Sequence, residues 1–276
     1  MADFFSGKIA LVTGAASGIG KALGEELCRR GAHAIVTDVN IQGVKLCADE
    51  ICKAGGSAEA MNLDVTDAGA VKRAVEETVA RHGRIDYLFN NAGIAVGADT
   101  RDTTLDDWKQ VIDVDLWGVI HGIDAAYGIM IDQGFGHIVN TASMAGLMPF
   151  PFITSYTASK HAVVGLSLAL RAEGRDLGVK FSVVCPGFVE TGIFDASKSI
   201  NIDRGKLIDE IPFAFSPNFT ARRILRQVRR NRAVITPTPD GRPIWWIYRT
   251  FPWLFSRFFL NMIRDVRKMK IEQPEG

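Results

Sequence analysis

Along most of the chain, short apolar runs rich in β-branched residues alternate with longer stretches whose apolar positions recur at helical spacing. "KIALVTG" predicts a strand and "GKALGEELCRRG" a helix that stops at Gly31. "AHAIVTDV" is again a strand, and "VKLCADEICKAGG" a helix closed by two glycines. "AEAMNLDVT" and "IDYLFNNAG" predict strands on either side of the helix "AGAVKRAVEETVARHG". "GHIVNTAS" and "VKFSVVCPG" follow, with a long helix through Tyr156 between them, and "NRAVITPT" is the last strand. Strand–helix alternation with nearly continuous apolar strands predicts a three-layer α/β fold, a doubly wound parallel sheet covered by helices on both faces. There is no repeat, low-complexity tract or linker, so residues 1–238 read as one domain, with 239–276 as an extension.

The carboxyl ends of these strands are "TGAASGIG", "TDV", "LDVT", "NNAG", "TAS" and "CPG". Small, polar and glycine residues thus gather at one rim, where doubly wound sheets bind ligands. Gly14, Gly18 and Gly20 lie between the first strand and the first helix, with Ser17 and Ile19 among them. Glycine allows a tight turn and lets a pyrophosphate approach the helix N-terminus, whose free N–H groups favour anions. Such a turn also arises from helix–strand packing alone. Asp38, at the end of the second strand, adds a carboxylate placed to accept hydrogen bonds from adenosine ribose hydroxyls; its other reading is a helix N-cap. A carboxylate there repels the extra phosphate of NADP and no arginine follows it, so NAD(H) is the expected cofactor. Lys21 pulls the other way, unless it is merely a solvated helix position.

In "SYTASKHAVVG" Tyr156 and Lys160 stand one helical turn apart, on the same helix face. A free phenol titrates near pH ~10, too high for acid–base work at neutral pH. A neighbouring ammonium stabilises the phenolate and lowers that value. The pair can pass a proton to a carbonyl oxygen or take one from an alcohol, and Ser143, 13 residues before Tyr156, can hydrogen-bond the same oxygen.

Taken together, TGAASGIG (13–20), Asp64-Val65, NNAG (90–93), Ser143, YTASK (156–160) and PGFVET (186–191) resemble the short-chain dehydrogenase/reductase family in order and spacing, over roughly residues 5–238. The resemblance implies the family's Rossmann fold and an enzyme interconverting a hydroxyl and a carbonyl. It implies Tyr156 as general acid/base and Ser143 as the group orienting the carbonyl. Lys160 would bind the nicotinamide ribose. Asp64 and Val65 would line the adenine pocket, Asn90, Asn91, Ala92 and Gly93 would flank the cofactor, Pro186, Gly187 and Val189 would contact it, and Thr191 would reach its carboxamide. One position departs: "DVDLWG" puts Asp115 where the family usually has asparagine, which holds a water linking the lysine to solvent. An ionised Asp115 accepts but does not donate hydrogen bonds. It would partly cancel the Lys160 charge and raise the Tyr156 pKa, giving a more alkaline oxidation optimum. The harsher alternative is a catalytically impaired NAD(H)-binding sensor or scaffold.

Composition adds three points. With 47% hydrophobic and 23% charged residues the chain is an ordinary globular protein, and no uncharged apolar stretch reaches the roughly 18–20 residues that span a bilayer. The N-terminus lacks the pattern of a secretory signal, and Cys28, Cys47, Cys52 and Cys185 show no metal spacing, so they read as reduced, buried thiols in the cytoplasm. The five histidines show none either, and no metal is expected. Charge, by contrast, is lopsided: residues 221–276 hold 13 Lys and Arg against four acidic residues, a net of +9 on a body of −8.

That basic tail, "DGRPIWWIYRTFPWLFSRFFLNMIRDVRKMK", interleaves aromatics with arginines. It matches no nucleic-acid module. It suits either an interfacial helix on a membrane surface or packing against another subunit or the body as a lid, or a protein whose main business is lipid-surface binding. Residues 188–220 read as the substrate lid. Phe150, Phe152, Phe188, Phe194, Met144 and Met148 flank the catalytic positions and point to a lipophilic alcohol or ketone, steroid-like, retinoid-like or long-chain. By the resemblance, the helices around Trp108–Ile131 and Tyr156–Glu173 would form the interface of a homodimer or homotetramer.

Overall fold

Seven parallel strands form the central sheet of the computed structural model, which describes residues 3–191, 198–201 and 214–268. In chain order the first part comprises β1 (Ile9–Thr13), α1 (Gly18–Arg29), β2 (His33–Asp38), α2 (Ile41–Lys53), β3 (Ser57–Asn62), α3 (Ala68–His82) and β4 (Tyr87–Asn90). The short β5 (Val96–Gly97) precedes α4 (Leu105–Ile112), α5 (Gly118–Gln133), β6 (Gly136–Thr141), α6 (Thr154–Glu173) and β7 (Val179–Val184). The chain closes with β8 (Lys198–Ser199), α7 (Pro217–Arg229), β9 (Val234–Ile235), α8 (Gly241–Thr250) and α9 (Pro252–Lys268). The sheet order is β3-β2-β1-β4-β6-β7-β9, so the winding reverses between β1 and β4. β5 and β8 pair separately.

The strand period of two explains the layers. Ala10, Val12, Ala34, Val36, Phe89 and Val139 face one side, where Leu23 and Leu27 of α1, Val44 of α2 and Ile224 of α7 cover them. Leu11, Ile35, Leu88, Ile138 and Val183 face the other, under Val75 of α3, Ile123 of α5 and Val163 of α6. Each fully buried Val, Leu, Ile or Phe among them contributes about 1.5–3 kcal/mol. The predicted strands and helices all form, within a few residues of their expected ends. The chain breaks its helices with local chemistry: Asn40 and Asp67 cap α2 and α3 by accepting from Gly43 N–H and Ala70 N–H, and Gly83 and Gly134 end α3 and α5 in the left-handed conformation.

Leu105–Gln133 runs as one helix with a π turn at Asp113–Trp117. By length and composition alone it is apolar enough to cross a membrane, but its buried face packs on the sheet. Three of the cysteines are buried as expected, and Cys52 is exposed. Burial pushes the thiols of Cys28, Cys47 and Cys185 up, to about 11, 12 and 12. Most of the expected lid, Phe194 included, lies outside the described residues.

Candidate active site

The turn after β1 is built around backbone that tolerates no side chain. Gly14 and Gly18 have φ of +67° and +55°. A Cβ on Gly20 would lie 2.1 Å from the Gly14 carbonyl oxygen, and one on Gly14 would lie 2.7 Å from Ala92 Cα. Ser17 occupies the N-cap of α1 without capping it, and no acidic residue sits in the first turn. Unlike α2 and α3, this helix therefore keeps its leading N–H groups for an anion. Asn91 secures the turn from β4: its side chain donates to the carbonyls of Thr13 (3.1 Å) and Gly14 (3.4 Å), and its backbone N–H to Thr13 Oγ1 (2.9 Å). Thr191 lies across from Gly18. The cradle fits the pyrophosphate of a dinucleotide, with Ile19 in the first turn of α1. At the end of β2, Asp38 accepts from Ala16 N–H (3.1 Å) and Asn40 N–H (2.9 Å), which fixes the carboxylate beside the turn.

On the other side of the sheet reversal the catalytic candidates converge. Ser143 follows β6, while Tyr156 and Lys160 occupy the first two turns of α6. The Lys160 ammonium is 5.3 Å from the Tyr156 ring centre. It donates to the Thr141 carbonyl (3.2 Å) and lies 3.2 Å from Asp115 Oδ2. The π turn brings Asp115 inward, where it is fully buried, accepting from Ile94 N–H (2.8 Å) and Ser159 Oγ (3.4 Å). A Cβ on Gly93 would meet both Lys160 Nζ and Asp115 Oδ1 at 3.2–3.3 Å, so glycine there makes room for the pair.

Electrostatics in this cluster is a contest between burial and charge. Burial pushes the Asp115 carboxyl above the usual range, against the pull of Lys160. It works to lower Lys160, but Asp115 and Tyr156 outweigh it and the ammonium ends above its ordinary value. Burial is also the largest influence on Tyr156 and raises it; Lys160 opposes this, Asp115 adds to the rise, and a hydrogen bond with Ser143 opposes it. The expected lowering by Lys160 is present, and in the free protein burial exceeds it.

The remaining expected residues fall into two groups. Val65 is buried, its carbonyl bonded to His121 Nδ1 (2.9 Å), and Asp64 accepts from Thr66 in a turn at the rim after β3. The Pro186 carbonyl accepts from Met144 N–H (2.8 Å), Gly187 N–H donates to Thr238 Oγ1 (3.2 Å), and Val189 bridges to Phe215. Asn90 is separate: its side chain turns into the core and donates to Asn140 Oδ1 (2.9 Å), behind the rim.

The sequence profile of the short chain dehydrogenase family matches residues 8–201. The chain belongs to this family. Cyclohexanol dehydrogenase of Acinetobacter sp. is 38% identical over 192 residues, covering 69% of this chain and 76% of that protein. Probable oxidoreductase EphD of Mycobacterium tuberculosis is 34% identical over 262 residues, 90% of this chain, which spans only 44% of EphD. A short-chain dehydrogenase from Burkholderia phymatum, solved in complex with NAD, superposes with a TM-score of 0.84 at 30% identity, covering 91% of this chain and 95% of that one. Relatives have been solved with NAD or with NADP bound, and this short-chain dehydrogenase is an oxidoreductase whose fold and cradle suit such a nucleotide.

In this short-chain dehydrogenase the C-terminal extension lies against the loop that carries Ser143. Phe259 is buried with Met144 and Met148, and Ile244, Trp245, Tyr248, Phe255 and Met262 close around them with Phe150. Phe152, at φ +67°, is covered by Met262 and Ile263, and its carbonyl accepts from Ala98 N–H (2.7 Å). Arg267 reaches Asp99 at 3.0 Å. Sequence reasoning missed Thr13, Thr141, Ser159 and the Ile94 N–H. Each acts through the backbone or through a short hydroxyl that any strand or helix contains, so only the folded arrangement distinguishes them.

Proposed function

We propose that the chain is an NAD(H)-dependent alcohol dehydrogenase or ketone reductase acting on a lipophilic substrate. The observation that carries the reading is the convergence of Ser143, Tyr156 and Lys160 beside the glycine cradle. The nicotinamide cofactor supplies the acceptor or donor of hydride. In alcohol oxidation Tyr156 Oη takes the hydroxyl proton, and in reduction it returns one to the forming alkoxide. Ser143 Oγ donates to the same substrate oxygen and holds it toward the phenol. Lys160 stabilises the phenolate, and Asp115 holds Lys160 from behind.

Support for NAD over NADP comes from Asp38, held beside the glycine turn by Ala16 N–H, whose carboxylate would repel an extra phosphate on the adenosine ribose. Lys21 is not available as a counterweight, since its ammonium is paired with Glu50 at 2.6 Å. Support for a lipophilic substrate comes from the Met144, Met148 and Phe150 wall beside Ser143, with α8 and α9 as its outer layer. The outer surface of those helices exposes Trp246 and Trp253, 63% and 62% accessible, among arginines. That surface favours contact with anionic lipid, from which such a substrate would be drawn. A homodimer through α5 and α6 completes the reading.

The test is NADH formation from NAD+ across a panel of lipophilic primary and secondary alcohols, cyclohexanol included, with NADP+ in parallel. Turnover preferring NAD+ is the expected result, and Asp38→Ala should shift the NAD+/NADP+ preference toward NADP+ by ~10-fold or more. NAD(H) binding without turnover at any pH would favour a sensor instead, a reading that the Lys160–Asp115 ion pair at 3.2 Å supports. Liposome flotation with and without residues 240–276 tests the lipid contact, and light scattering tests the dimer.

A further inference from the structure

At the rim opposite the active site the fold assembles three metal-ligating side chains that sequence spacing does not reveal. His33 opens β2, Glu59 is the third residue of β3, and His82 is the last residue of α3. His33 and Glu59 share the α3 face of the sheet, because His33 pairs with Ser57 and Ile35 with Glu59. Glu59 Oε1 lies 3.2 Å from His33 Nε2 and 3.4 Å from His82 Nε2. The imidazole rings are 4.5 Å apart between centres, and all three donor atoms lie within 4.8 Å of one another. Both Nε2 atoms are shielded from solvent and make no hydrogen bond among the described residues. We propose that His33, Glu59 and His82 form a three-ligand site for a first-row divalent ion of the Zn2+ class.

The distances have the right size. Zn–N and Zn–O bonds of about 2.0–2.2 Å place neighbouring ligands of a tetrahedron about 3.3–3.6 Å apart, close to the two histidine–glutamate separations of 3.2 and 3.4 Å. The outer contacts also suit a metal. His33 Nδ1 bonds the Ser57 hydroxyl at 2.7 Å, which leaves Nε2 as the face turned to Glu59. Arg81 holds the other Glu59 oxygen, Oε2, at 3.1 Å, leaving Oε1 to a single-oxygen bond. Two imidazoles and a carboxylate are a donor set for Zn2+ and its first-row neighbours rather than for Ca2+ or Mg2+, with water at the fourth position. The three side chains remain partly accessible around these shielded nitrogens, at 18%, 19% and 36%. His33 and Asp38 lie at opposite ends of β2, about 17 Å apart. The ion therefore takes no part in hydride chemistry and acts as a clasp joining β2, β3 and α3.

The test starts from the full chain stripped with a chelator and titrated with ZnCl2 by calorimetry. One equivalent should bind. Co2+ in its place should give visible d–d bands without the intense thiolate charge-transfer absorption that cysteine ligation produces. His82→Gln and Glu59→Gln should each weaken binding by more than the ~10–100-fold that outer-shell changes cost, with circular dichroism and NADH binding unchanged. Absence of stoichiometric Zn2+ binding would overturn the proposal, and so would unchanged affinity in His82→Gln. The Co2+ spectrum of the native chain discriminates even if the variants fold poorly: thiolate bands would assign the ion to Cys52 or another cysteine instead.

Discussion

Replacing Asp115 by asparagine removes a buried negative charge while keeping the side chain's shape, and the structure fixes how far that charge acts. Asp115 lies 3.2 Å from Lys160 Nζ, which lies 5.3 Å from the Tyr156 ring centre, so the carboxylate is within about 8.5 Å of the ring. At an effective dielectric of about 20, two unit charges roughly that far apart interact by ~1–2 kcal/mol, on the order of one pKa unit. An ionised Asp115 opposes the phenolate, so its removal should lower the Tyr156 pKa by about one unit. Alcohol oxidation needs the phenolate, and its rate rises as pH passes that pKa. The ascending limb of kcat/KM against pH should therefore move about one unit toward acid in Asp115→Asn. Ketone reduction, which needs the protonated phenol, should lose activity at a correspondingly lower pH. The assay is the pH–rate profile of both directions with one alcohol–ketone pair. Superimposable profiles would refute the reasoning, because they would mean that Asp115 carries no charge in the working enzyme.

Three further perturbations follow from the same structure. Tyr156→Phe removes the proton carrier and should lower kcat by ~10²–10⁴-fold while leaving NADH binding, followed by fluorescence, intact; full activity would transfer the acid–base role elsewhere. Gly20→Ala drives a methyl group to 2.1 Å from the Gly14 carbonyl and 2.6 Å from Asn91 Nδ2, an overpacking that costs about 1–3 kcal/mol and ~2–10 °C in Tm, with NADH affinity falling alongside. Unchanged NADH affinity would separate this turn from the cofactor. His137 is buried against Ser182 (2.9 Å), and burial, with Lys180 and Arg171 adding to it, lowers its pKa to about 3. Neutral in the fold and protonated in the unfolded chain below ~6.5, it favours folding above that pH. This stability is lost as pH falls from ~6.5 toward about 3, by up to ~1.4 kcal/mol per pH unit. Denaturant melts of His137→Gln should show a shallower acid dependence by about one proton, and an equal slope would show that His137 protonates without unfolding.

What the sequence determined by itself is the layered architecture and the rim. The nearly continuous apolar runs of β1, β2 and β4 match burial on both faces of the sheet, so strand type and parallel pairing were legible from the residues alone. Gly14, Gly18 and Gly20 were legible because a left-handed turn and a backbone approach leave no other residue type available. Tyr156 and Lys160 were legible because a helix fixes which residues share a face. Tertiary structure decided whatever depends on separations the chain does not encode locally. Thr141, Ile94 and Ser159 join Asp115 around Lys160 only because β6, the loop after β4, the π turn and α6 meet there. The net rise of the Tyr156 pKa has the same origin, since desolvation depends on what closes over a group rather than on its neighbours in sequence. The C-terminal aromatics read equally as membrane or packing residues. Which of them bury, Phe259 against Met144 and Met148, and which remain outside, Trp246 and Trp253, depends on how α8 and α9 dock. The His33, Glu59 and His82 cluster draws on three positions 26 and 23 residues apart, and only strand pairing and the docking of α3 bring its donor atoms to within 4.8 Å of one another.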